Sequence, residues 1–162
     1  LRQVASAFAE TNADYVCGDL TILDEAGQAI GHQAAQSRWI SGRRNPFGRD
    51  WRMNMSLLHP SLFVRRRVYE RLGRFDLRFR LAADHDFIAR MIADRRHGVY
   101  LKRALARFRL GGASSTSLIE CFREDEIIAR KHGVHPLLAR LIRLRKSHYA
   151  RRHETSQADA AR

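Results

Sequence analysis

Apolar residues along this chain recur with two different periods, and the places where the period changes mark out its elements. Leu1, Val4 and Phe8 repeat at helical spacing, so residues 1–12 read as the last turns of a helix. From Tyr15 to Leu23 β-formers take over and predict a strand. Asp24-Glu25-Ala26-Gly27 reads as a turn, with Gln28 to Gln33 as the returning strand. Ser61 to Val64 reads as a short strand, and Arg66 to Leu72 as a helix closed by Gly73. Helical period returns at Phe87, Ile88, Met91 and Ile92, in a helix ending near His97-Gly98. Val99 to Leu101 and Leu105 to Leu110 read as two strands. In the second, Leu105, Arg107 and Arg109 alternate with Ala106, Phe108 and Leu110.

Two helices close the pattern. Leu118 to His132 is stopped by Gly133, and Ser117-x-x-Glu120 has the form of a capping box at its start. The next opens at Pro136, a favoured first-turn residue, and carries Leu137, Leu138, Leu141, Ile142 and Leu144 on one side. Residues 153–162 are polar and alanine-rich and are expected to be disordered. Residues 32–57 resist a periodic reading. They hold Trp39, Gly42, Arg43, Arg44, Pro46, Gly48, Arg49 and Arg52, and fit either a plain surface loop or a phosphate-contacting lid.

The chemistry that the pattern makes conspicuous is Asp84. It lies three and four residues before Phe87 and Ile88, on the apolar side of its helix, as a buried general base requires. Asp86 falls roughly 200° round and is placed for an i,i+4 pair with Arg90 on a solvent face. Asp84 equally fits a helix N-cap, with Ala82-Ala83 as the entry, and the two roles are compatible. Asp84-His85-Asp86 spells Asp-x-Asp, yet carboxylates two apart on a helix diverge whereas ligands to one cation converge, so no metal site is assigned to it.

Four short motifs then occur in a telling order: H-P-x-x-F-x-R-R from His59, Y-E-x-L-G-x-F-D from Tyr69, A-A-D-x-D-F-x-x-R from Ala82, and R-x-R-L-G-G-A-S from Arg107. In this order they resemble the family-two glycosyltransferases of GT-A fold, which are inverting enzymes using nucleotide sugars, often in bacterial surface polysaccharide synthesis. Ala13 to Asp19 is similar to that family's strand ending in Tyr-Gly-Asp, with cysteine before the glycine instead. The resemblance covers residues 1–117. It implies an α/β chain: a partial GT-A (nucleotide-diphospho-sugar transferase) fold lacking the N-terminal nucleotide-binding half, which would precede Leu1. A basic helical extension over 118–152 would follow. It further implies Asp84 as the base that deprotonates the acceptor hydroxyl, with Ala83 where the family often has glutamate. Asp19, Arg109, Gly111, Gly112 and Ser114 would face substrate. His59, opening the motif run, fits an acceptor-pocket residue or a structural histidine. The implied cofactors are a nucleotide-sugar donor and a divalent cation, Mg or Mn, whose ligand motif this sequence does not contain. The implied partner is a sugar or lipid-linked acceptor.

Charge widens the list of partners. The 162 residues hold 30 Lys and Arg against 17 Asp and Glu, a net +13, which predicts attraction to polyanions. Aromatics make up only 9% and are not interleaved with the basic run, and no recognised nucleic-acid motif occurs, so nucleic acid is not expected. Arg130, Lys131, Arg140, Arg143, Arg145, Lys146, Arg151 and Arg152 fall in a stretch without Asp or Glu. Such a helix, 136–152, can lie on an anionic membrane surface or pack on the domain with a solvated basic face. Cys17 and Cys121 make no metal or redox spacing, and no apolar run is long enough for a membrane span. The expectation is a cytoplasmic protein, peripheral to the inner face of the membrane. A non-catalytic remnant or membrane-associated scaffold is the alternative to an enzyme.

Overall fold

The computed structural model describes residues 1–35, 52, 57–110 and 117–160, the last ten by backbone alone. Strand β1, Tyr15–Leu23, is its axis. A strand has two edges, and β1 uses both. Along one edge runs β4, Gly98–Arg109, in parallel. The other edge is divided between two antiparallel partners, β3 (Leu62–Val64) beside Tyr15–Cys17 and β2 (Ala29–Gln33) beside Leu20–Leu23. The fold is thus α/β around a small mixed sheet.

Helices cover both faces of β1, which is why its first six residues are all buried. Helix α1, Arg2–Glu10, sets Val4 and Ala7 on Val16. On the opposite face, Tyr15 and Cys17 meet Val68 of α2 (Arg66–Leu72) and Phe87, Ile88 and Met91 of α3 (Ala83–Ala93). Helix α4, Leu118–Lys131, packs Ile128 against Phe79, Ala82 and Ala89 on the far side of α3. Helix α5, Pro136–Ala160, lies outermost, its Ala139 and Ile142 against Ala129 and Val134. Long-range hydrogen bonds pin this order. The Arg65 guanidinium donates to Ala13 O at 2.7 Å and Phe8 O at 2.6 Å, which ties α1 to the start of α2.

Several expectations are corrected. The two strands read at 99–101 and 105–110 are one, in which twelve residues of β4 run beside nine of β1. The excess is taken up by register shifts between Gly18 and Leu20, opposite Lys102, Arg103 and Leu105. Gly18 accommodates the irregularity, since a Cβ there would sit 2.5 Å from Leu105 Cγ and 2.7 Å from Arg103 O. Ser117 does precede α4, but its side chain caps nothing. Glu120 pairs with Arg123 instead of closing a capping box. Residues 153–160, expected to be disordered, continue α5 as helix, because no glycine or proline interrupts the chain after Pro136. Most of the irregular segment 32–57 lies outside the described residues.

Candidate functional site

Asp84 stands at the second position of α3, after the cap residue Ala82. Its Oδ1 accepts the His85 backbone N–H at 2.8 Å, and its Oδ2 lies 4.0 Å from His59 Nδ1. The carboxylate is 29% exposed and the imidazole 44%, so both can be reached from solvent. At 4.0 Å the pair is beyond a direct hydrogen bond, and among the described residues no donor bonds the outer carboxylate oxygen. Asp84 is therefore neither sealed in the core nor an N-cap. It occupies the open end of a buried helix, where the axial dipole favours negative charge.

The motif residues build the support for this pair. His59 belongs to a single 3-10 turn, His59–Ser61, and Ser61 Oγ donates to Gly18 O at 2.6 Å, anchoring the turn to β1. The His59 ring meets Phe75 edge-on, centroids 5.8 Å apart. Phe75 in turn packs on Phe87, and Tyr69 stacks on Phe87 at 4.5 Å. Tyr69, Phe75 and Phe87, all motif positions, thus form a continuous wall behind His59.

Helix α4 secures the other side. The Glu124 carboxylate accepts three consecutive backbone N–H groups, from Arg80 at 2.9 Å, Leu81 at 2.9 Å and Ala82 at 2.7 Å. Charge-assisted bonds of this kind fix the approach to Asp84. Next to Asp84, the buried His85 bonds through Nδ1 to Asp125 Oδ1 at 2.7 Å, and Lys146 donates to Asp125 Oδ2 at 3.0 Å. Burial pushes the Asp125 carboxyl up, but the His85 bond and the Lys146 charge outweigh it and hold it below the usual carboxylate range.

Asp86 overturns its expected place on a solvent face. Its i,i+4 bond to Arg90 is present at 3.0 Å, yet the carboxylate is completely buried and also accepts from Lys131 at 2.7 Å. Geometry around the helix was read correctly, but that side of α3 faces α4 and the end of α2. Arg90 also donates to Leu72 O at 2.6 Å and Arg74 O at 2.8 Å, closing α2. Asp86 is thus a structural hub.

The remaining predicted site residues separate into groups. Asp19 lies one residue beyond Gly18 on β1, near the His59 turn, and is buried with three partners. Tyr100 Oη donates to it at 2.6 Å and the Ala35 N–H at 2.9 Å, with His32 Nε2 at 3.1 Å. Burial raises its pKa, and these contacts together bring it below the usual range. Arg109 is exposed at the far end of β4, opposite Leu23 and beside the Gly27 turn, with about 16 Å of strand between it and Gly18. The structure therefore brings His59 and Asp84 together, engages Asp19 with Tyr100, Ala35 and His32 instead, and sets Arg109 apart. Gly111, Gly112 and Ser114 lie outside the described residues. Sequence reasoning passed over Glu124, Asp125 and Tyr100. Their partners lie 21 to 81 residues away, and local spacing carries no sign of such pairings.

Both thiols are poor nucleophiles. Burial, then the Asp19 charge, pushes Cys17 up to about 12, and burial, then Asp125, Asp84 and Glu124, pushes Cys121 up to about 11. In the native protein at pH 8, Ellman's reagent is expected to label Cys17 only as fast as the chain unfolds. Stoichiometric labelling within the mixing time would contradict its burial. Among the described residues no three His, Cys, Asp or Glu side chains group closely enough to hold a metal ion. No protein-family model, curated protein or solved structure matches the chain.

Proposed function

We propose that this chain is the acceptor-side part of an inverting glycosyltransferase of GT-A type, with Asp84 as its general base. One observation carries the reading. The residue that the motif resemblance assigns as base is a partly exposed carboxylate, held by the His85 backbone N–H on one oxygen and lying 4.0 Å from His59 on the other. The motif aromatics and Glu124 keep that arrangement in place.

In the proposed reaction an acceptor hydroxyl donates its hydrogen bond to Asp84 Oδ2. As the proton passes to the carboxylate, the oxygen attacks the anomeric carbon of a nucleotide sugar. The nucleoside diphosphate leaves from the opposite face with the bonding electrons, so the configuration inverts. His59 lies close enough to orient the attacking hydroxyl. A divalent cation, where the family uses one, would take up charge on the diphosphate. Among the described residues no group of three His, Cys, Asp or Glu side chains is placed to hold it. Synthesis of a surface polysaccharide, at the cytoplasmic face of a membrane, is the setting the resemblance implies.

The test is Asp84→Asn in the full-length protein, assayed by nucleoside diphosphate release across a panel of nucleotide sugars and acceptors. Acceptor-dependent release is expected to fall at least about a hundredfold, with donor binding measured by titration unchanged. Undiminished turnover in Asp84→Asn would remove the base assignment.

A further inference from the structure

The apolar side of the outermost helix fits either a membrane surface or packing on the domain, and the structure divides it. Helix α5 turns Ala139, Ser147 and Ala150 inward with Ile142. Leu137, Leu138, Leu141 and Leu144 are left 48–72% exposed. Small residues let α5 lie close on α4, and two long cations complete the seam. Arg143 bonds Glu126 at 2.6 Å and Lys146 bonds Asp125 at 3.0 Å.

The outward face has a definite layout. At about 100° per residue from Ala139, Leu137, Leu144 and Leu141 fall at about 160°, 140° and 200°, a stripe pointing straight away from α4. Arg140 flanks it at about 100° and Arg145 at about 240°. Both arginines are exposed, and neither makes an ion pair among the described residues. The inward cations are thus matched to acids of the fold, while Arg140 and Arg145 border an apolar stripe and have no acid partner among the described residues.

We infer that this face of α5 docks on an anionic lipid bilayer, with the leucine stripe in the acyl boundary and Arg140 and Arg145 at the phosphate level. The layout is that of a helix lying in the membrane plane, and no helix among the described residues is long and apolar enough to cross a membrane. Charge selects this occupant over a second copy of the chain, since pairing two such faces would bring unmatched arginines together in a chain already at +13. The inference does not rest on the transferase reading, and either can fail alone.

The test is co-sedimentation of the whole chain with vesicles of phosphatidylcholine, with and without phosphatidylglycerol. Binding is expected only to the anionic vesicles and should weaken as salt is raised. Leu137→Ser with Leu141→Ser and Leu144→Ser should lower the bound fraction about tenfold, and Arg140→Glu with Arg145→Glu by at least as much. All five positions are exposed or lie on the outward face, so circular dichroism should show unchanged helix in both variants. Equal binding to neutral vesicles, or full binding by the serine variant, would overturn the inference. So would a wild-type dimer in solution that the serine changes dissociate, because the face would then belong to a second copy or another protein.

Discussion

Asp86→Ala is expected to destabilise the fold by about 3 kcal/mol, measured by urea unfolding. Removing one member of a buried ion pair leaves the other uncompensated, at a typical cost of about 3–5 kcal/mol. The lower end applies because the stranded charges have outlets. Lys131 is 36% exposed and already lies 3.8 Å from Asp76, and Arg90 keeps its bonds to the carbonyls of Leu72 and Arg74. Asp86→Asn should fall between wild type and alanine, since an amide oxygen can still accept one of the two bonds. The same experiment ranks the two carboxylates of the Asp84-His85-Asp86 run. Asp84→Ala, at a half-exposed site, should cost less than about 1 kcal/mol. Equal losses at the two positions would mean that the burial described for Asp86 is wrong.

Gly98→Ala should cost about as much, for a steric reason. At the start of β4 a Cβ would overlap the ring of Tyr15, its partner across the parallel pair. That ring is 3% exposed and packed among Cys17, Leu57, Val68, Phe87, Ile88 and Met91, so it cannot swing aside cheaply. Overpacking of this kind costs about 1–3 kcal/mol, and the rigid surroundings favour the upper end. A double-mutant cycle with Tyr15→Leu identifies the cause. The added methyl should be tolerated once the ring is gone, giving a coupling energy of about 1–2 kcal/mol. Additive losses would place the strain somewhere other than the ring.

How far the sequence could be read depended on the range of the interaction. The bounds of β1, α2 and α4, and the opening of α5 at Pro136, follow from residue type and spacing within a few positions, and the structure agrees. Which side of a helix is wet does not follow. Helical period set Asp86 about 200° from Asp84 correctly, but it could not show that α4 covers that side. For the same reason the direction in which the leucines of α5 face stayed open. Leucine at helical spacing signals one apolar face, whereas contact with α4 went to the small residues opposite. Within the site, His59 and Asp84 were both identifiable from their motifs, and their proximity could not be read from a separation of 25 positions. Asp19 was read for its motif position alone. Its partners come from β2, from β4 and from Ala35 beyond β2, so nothing local foretold a carboxylate so fully engaged.

The Glu124 clamp bears on where this polypeptide can be divided. By motif similarity a boundary belongs at residue 117, with the catalytic portion before it and an appendage after. Physically such a cut would strip the loop ahead of Asp84 of three hydrogen bonds, expose Phe79, Ala82 and Ala89, and take away the acid that holds His85. The smallest unit able to present Asp84 in its present setting therefore extends through Lys131, and the helix that follows is a brace as well as a surface.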